Sequence, residues 1–314
     1  MTVSLAALSP RTPDRWRCGR FLVDLSQPKV MGIVNVTPDS FSDGGRYADA
    51  DAARMHCDRL VAEGADILDI GGESTRPGAR LPDTDEQLRR VVPVLRHAIT
   101  LGVPVSVDTA DPAVMAAALE LGVDILNDVR ALQAPGALAT AASDPAVGVC
   151  LMHMQGEPGT MQQAPHYEGD DVLADVSRFL AARRDAALAA GIARERIALD
   201  PGIGFGKTVA HNVAISARQH ELLALGCPLL LGWSRKSTLG SLTGRPVGER
   251  LVASVAAALA AVRQGAVVVR VHDVADTVDA LKVWRALTLD SSAQTSNAGP
   301  DSRALEIPSK VEPR

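Results

Sequence analysis

Polar residues gather at the C-terminal ends of apolar runs in this chain: Asn35, Asp69, Asp108, Asn127, His153, Asp200, Ser234, and Arg270 with His272. Chemically they fall into two groups. Asp108, Asn127 and Asp200 supply acceptors and an amide, which match a flat heterocycle carrying an amino group beside a ring N–H. Lys236, Arg270, His272, Asn35 and Arg76 supply donors and charge suited to phosphate. A single Asp or Asn at such a place is as readily a helix cap as a ligand-binding group. A whole series of them points to one site that holds a heterocycle beside an anion. The segments GGESTRPGA (71–79) and SRKSTLG (234–240) add backbone N–H groups near expected helix starts, as phosphate sites do. No GxGxxG, Walker, HExxH or GxSxG motif occurs, so dinucleotide, nucleoside-triphosphate, zinc-protease and serine-hydrolase chemistry lose their main support.

Such a set needs a scaffold that brings many strand ends together. A glycine stands directly before an apolar run at Gly64, Gly102, Gly122, Gly191, Gly226 and Gly265. Glycine suits the left-handed residue that closes a helix, and the β-branched run after it suits a strand buried on both faces. With the runs 29–36 and 148–152 the strands number eight, and helical patterns such as 48–63, 84–100, 112–121, 172–190 and 249–264 lie between them. Eight alternations predict an α/β fold of the (β/α)₈ TIM-barrel type, with an open doubly wound sheet as the alternative. In a barrel every polar strand end faces one mouth. Residues 1–20 read as an N-terminal extension, 21–289 as the barrel, and 290–314 as a polar, proline-bearing tail expected to be disordered.

Composition narrows the partners. Over 314 residues, Lys+Arg 32 against Asp+Glu 37 leaves a net charge of −5, and only nine residues are aromatic, which speaks against nucleic acid and basic membrane-surface binding. The longest apolar stretch, 251–262, is broken by Ser254 and too short for a bilayer, and 3–8 is shorter than a signal-peptide core. Four cysteines without a Cys-x-x-Cys pair read as reduced, buried thiols. A cytoplasmic protein without a membrane or nucleic-acid partner is expected.

The segment MGIVNVTPDSFSDGG (31–45) resembles the opening signature of the dihydropteroate synthase family. GADILDIGGESTRPGA (64–79), VSVDT (105–109), DILNDV (124–129), LMHMQGEPGTMQ (151–162), LDPGIGFGKT (199–208), GWSRKSTLG (232–240) and VRVHDV (269–274) follow in the order that family requires. The resemblance implies condensation of 6-hydroxymethyl-7,8-dihydropterin pyrophosphate with 4-aminobenzoate, giving 7,8-dihydropteroate and pyrophosphate. It implies a pterin site of Asp108, Asn127, Met152, Asp200, Lys236 and Arg270. Pyrophosphate would meet Asn35, Thr75, Arg76, Arg270 and His272, with Asn35 also reaching Mg²⁺ as cofactor. Phe41, Thr75, Pro77, Phe205, Lys236 and Ser237 would surround the aminobenzoate, and Asp108, Lys236, Arg270 and His272 would be the catalytic set. It also implies a homodimer through the outer helices after strands six to eight, where 251–262 is apolar around most of its circumference. Trp233, read as a packing aromatic, and Ala110–Asp111 depart from the family pattern and are expected to touch no motif residue.

Three rivals remain at this level. A methyltransferase barrel that binds a folate would lack VTPDSFSDGG and SRKS, and a non-catalytic pterin-binding module would be favoured by loss of Asn35, Arg270 or His272; all of these are present. A Schiff-base aldolase needs a lysine on the strand itself, whereas Lys236 comes four residues after Gly232.

Overall fold

The six glycines that precede apolar runs all take positive φ, from 69° at Gly226 to 97° at Gly64, closing one element so that the next can begin. The structure, a computed structural model, describes residues 13–37, 46–73, 82–157 and 160–293. Eight parallel strands follow the repeat: β3 Lys29–Asn35, β4 Ile67–Gly71, β5 Val105–Asp108, β6 Ile125–Asp128, β7 Gly148–Met152, β8 Ile197–Asp200, β9 Leu230–Leu231 and β10 Val268–Val271. They pair in the order β8-β7-β6-β5-β4-β3-β10-β9. A parallel bridge between Leu199 and Leu229 joins the two ends of that order, so the sheet closes as a (β/α)₈ barrel.

Around the barrel run α1 Arg46–Ala62, α2 Thr84–Ala98, α3 Pro112–Leu121, α4 Ala137–Ser143, α5 Val172–Ala189, α6 Val209–Arg218, α7 Ser237–Thr243, α8 Leu251–Arg263 and α9 Val274–Ala293. The helix expected over 84–100 ends sooner, because its last turn tightens into a 3₁₀ segment, Ile99–Leu101, before Gly102. Side chains fix several starts: Asp83 accepts from the Glu86 N–H, Asp111 from Ala113, and Thr208 from His211. Asp111, one half of the unusual Ala110–Asp111 pair, is thus a helix cap. Trp233 is buried in the main core between strands and helices, as read from the sequence.

The strand period of two does the rest. Met31, Ile67, Ile125, Cys150, Ala198, Leu230 and Val268 form one cluster inside the lower barrel. Two residues further along each strand stand Ile33, Asp69, Asn127, Met152, Asp200, Gly232 and Arg270, and Asp108 follows Ser106 in the same register on β5. An apolar floor therefore becomes a polar layer within one pleat.

The barrel floor is closed by a hairpin, β1 Arg15–Cys18 and β2 Phe21–Asp24. Trp16 is fully buried in the floor cluster, and its indole N–H donates to the Arg196 carbonyl at 3.0 Å. Arg20 pairs with buried Asp124 at 2.8 Å. The boundary expected at residue 20 falls in the turn of this hairpin, whose first strand packs into the barrel floor. At the other end α9 continues to Ala293, past the expected limit at 289; 294–314 lie outside the described residues.

Candidate active site

The polar layer opens into a cavity of about 1080 Å³, lined by Asn35, Asp108, Asn127, Met152, Asp200, Phe205, Lys236, Ser237, Arg270 and His272 among others. Phe41, Thr75, Arg76 and Pro77, expected in the same site, lie outside the described residues.

Arg270 organises one side. Its Nε donates to Asp69 at 2.6 Å and its Nη2 to Asp108 at 2.7 Å. Burial opposes its charge, but the two carboxylates outweigh that effect and hold the guanidinium above its ordinary range. Burial likewise pushes Asp108 up, to about 7, against the pull of Arg270. Asn127 donates its Nδ2 to the same Asp69 oxygen at 3.0 Å, which leaves its Oδ1 free to accept from a ligand. Asp69 is fully buried, with its other oxygen unpartnered, so it orients two neighbouring site residues at once. It was visible in the sequence as a polar strand end, but only the structure shows that work.

Across the cavity, Asp200 accepts the Gly202 N–H at 2.7 Å. Burial pushes its carboxyl up to about 6, while that hydrogen bond and the Lys236, Lys207 and Arg270 charges pull the other way. Burial, with Arg270 nearby, brings Lys236 down to about 8, and its ammonium rests 3.9 Å from the centroid of the Phe205 ring. Val129, Met152, Met161 and Phe205 make an apolar wall suited to the faces of flat rings, with Ala110 packed against it. That contact corrects the reading of Ala110 as remote from the motif residues.

Lys236 and Ser237 are delivered by a strained turn. Arg235 has φ 58°, unusual for a residue with a Cβ. Its N–H donates to Ser254 Oγ at 3.0 Å, its carbonyl accepts from Arg250 at 3.1 Å, and its guanidinium pairs with Asp273. Ser254, which interrupts the apolar run of α8, is therefore part of the brace. Lys236 lies past the end of β9, at the cap of α7, which disfavours the strand-borne lysine of a Schiff-base aldolase.

Near the strand ends of β3 and β10, the Asn35 side chain makes no hydrogen bond to another described residue. Ser234 Oγ accepts the His272 backbone N–H at 3.1 Å and lies 3.0 Å from its Nδ1. In the tautomer in which the Ser234 hydroxyl donates to Nδ1, Nε2 carries the ring proton and is a donor. Burial, with Arg235 and Arg270 close by, lowers the His272 pKa to about 3. His272 is neutral at pH 7, which refines its assignment among the charged groups. His153 departs further from expectation: its ring does not line the cavity but packs edge-on against Phe179 at 4.9 Å, behind the wall.

Residues 31–272 match the model of the pterin-binding enzyme family. The chain is 54% identical over 281 residues to a dihydropteroate synthase of Neisseria meningitidis serogroup B, covering 88% of this chain and 98% of that one. It belongs to the dihydropteroate synthase family. Among solved dihydropteroate synthases, that of Xanthomonas albilineans with 4-aminobenzoic acid superposes with TM-score 0.83 at 51% identity, covering 88% of this chain and 99% of that one. That of Burkholderia cenocepacia complexed with 7,8-dihydropteroate gives TM-score 0.79 at 48% identity, covering 90% and 98%. The dihydropteroate synthase likeness therefore spans both the barrel and its mouth.

Proposed function

We propose that this chain condenses 6-hydroxymethyl-7,8-dihydropterin pyrophosphate with 4-aminobenzoate, yielding 7,8-dihydropteroate and pyrophosphate. The observation that carries this reading is the meeting of Asp108, Asn127 and Asp200 with Lys236, Arg270 and His272 in one cavity walled by Met152 and Phe205. The three acceptors suit the donor edge of a pterin, and the apolar wall suits its faces. Phe205, Lys236 and Ser237 suit the aromatic ring and carboxylate of the aminobenzoate.

The reaction asks little of a protein nucleophile. Departing pyrophosphate takes the electron pair of the methylene C–O bond, and the cation left behind is delocalised into the electron-rich ring. The neutral arylamine then forms the C–N bond with its lone pair and gives up a proton. What needs stabilising is the leaving negative charge, which Arg270 and the His272 N–H can meet, and the positive ring, which Asp108 can meet. Asn35 offers beside this region an amide oxygen that makes no hydrogen bond to another described residue, a hard donor that suits Mg²⁺. When bound, Mg²⁺ would supply charge against the departing pyrophosphate. No group of three His, Cys, Asp or Glu side chains that could hold a metal occurs among the described residues.

Two further parts of the reading concern the whole chain. A homodimer through the helices after β8 to β10 is supported by exposed Val213, Leu242, Val252, Val283 and Leu287. Action in the cytoplasm is supported by four free, buried cysteines; among the described residues no helix is long and apolar enough to cross a membrane. The purified protein with both substrates and Mg²⁺ should form 7,8-dihydropteroate, detected by mass, and excess chelator should suppress it. No product with Mg²⁺ present overturns the activity, and full product in chelator overturns the metal.

A further inference from the structure

Lys207 does not line the cavity, yet it is buried to 3% exposure behind the cavity wall. Its ammonium has three N–H groups and three acceptors: His153 Nδ1 at 2.8 Å, the Phe205 carbonyl at 3.1 Å and the His153 carbonyl at 3.4 Å. None of the three is a carboxylate. Burial lowers its pKa to about 7, with the Asp200 charge opposing, so keeping a cation here is costly and calls for a compensating task.

The acceptors come from two segments. One is the residue that follows β7; the other is the glycine-rich loop that follows β8. Gly202, Gly204 and Gly206 take φ of 68°, 81° and 63°. A Cβ on Gly202 would stand 1.9 Å from the His153 carbonyl oxygen, and one on Gly206 2.3 Å from that of Gln155. Gly202 and Gly206 permit this close approach, and the three glycines together leave the loop little stiffness of its own. Phe205 sits between two of them, and its ring meets the Lys236 ammonium and the Met152–Met161 wall. Asp200 keeps anchors other than the Lys207 charge: it pairs with Met152 in the sheet, its carbonyl accepts the His153 N–H at 2.9 Å, and its side chain accepts from Gly202. The His153 ring is itself fixed against Phe179, burial keeps it neutral at pH 7, and an ammonium, which can only donate, pairs with the tautomer whose Nδ1 carries no proton.

We infer that Lys207 is a positioning residue that ties the glycine-rich loop to His153 and thereby sets the Phe205 ring in the arylamine half of the site. This rests on the dihydropteroate synthase reading. Lys207→Met keeps the length of the side chain and leaves all three acceptors without their donor. In folded enzyme it should raise KM for 4-aminobenzoate about tenfold, while KM for the pterin pyrophosphate changes less than about threefold. Phe205→Ala should raise the aminobenzoate KM as well, and Lys207→Met added to Phe205→Ala should change it little further, because both act through one ring. A purely structural lysine would lower the melting temperature and leave the ratio of the two KM values unmoved.

An unchanged aminobenzoate KM, an equal rise in both constants, or fully additive effects in the double variant would overturn the inference. Should Lys207→Met not fold, His153→Gln decides: it removes the imidazole acceptor, keeps both carbonyls, and should shift the same constant in the same direction by less. No selective shift there overturns the inference too. Wild-type enzyme that forms no dihydropteroate would remove the reading itself. Wild-type turnover with an unaltered Lys207→Met variant removes only the role of Lys207.

Discussion

A carboxylate that must accept two ring donors serves only when ionised, and burial places the Asp200 pKa at about 6, where modest acidification protonates it. The depressed affinity of the charged form for its buried site is offset when pterin donors bind it, so pterin binding favours ionised Asp200 and expels a proton at low pH. Affinity should therefore be greatest above pH 7 and weaken as pH falls through 6, which calorimetry across that range can follow. Asp200→Ala should cost about 1–3 kcal/mol of pterin affinity or more, since it leaves ring donors without an acceptor. Affinity unchanged in the variant would remove Asp200 from the pterin site. The strand-end pattern made Asp69, Asp108, Asn127 and Asp200 legible in the sequence, because inward residues repeat every second position. The same pattern takes in His153, although it stands one residue past inward Met152 on β7, so its side chain turns to the other face, toward Lys207 and Phe179. The register that decides this is fixed by pairing with β6 and β8.

At the scale of elements, the repeat of glycine, buried strand and amphipathic helix exposed the barrel, because each unit carries its own local signal. The β1–β2 hairpin carried none. Its strands are four residues each, with exposed positions between buried ones, and its burial comes from a floor assembled by seven distant strands. Trp16 and the carbonyl it meets at Arg196 are 180 residues apart. Trp16→Ala should destabilise the barrel by about 3–5 kcal/mol in urea unfolding, from lost packing and a cavity at the floor. Kinetic constants of the folded fraction should hold, since the floor lies a layer below the polar residues; a loss below about 1 kcal/mol would mean that the hairpin only rests against the barrel. Ser254 teaches the same lesson in miniature. In sequence it breaks an apolar helix, and in space it holds the strained Arg235 that presents Lys236 and Ser237.

For the whole molecule, the exposed Leu242, Val252, Val283 and Leu287 of α7 to α9 do not line the described cavity, so assembly can be tested apart from chemistry. Val252, 80% exposed on α8, is well placed to test the proposed pairing. Val252→Glu should shift sedimentation from dimer toward monomer while the circular dichroism of the barrel is kept; a wild type that sediments only as monomer at micromolar concentration contradicts the dimer. The central claim is that one mouth binds both substrates and couples loss of pyrophosphate to capture by the arylamine. Its most direct test is pyrophosphate release from the pterin pyrophosphate, measured with and without 4-aminobenzoate. The account predicts release that depends on 4-aminobenzoate and matches 7,8-dihydropteroate mole for mole; release at the same rate without the amine, or none with it, would contradict it.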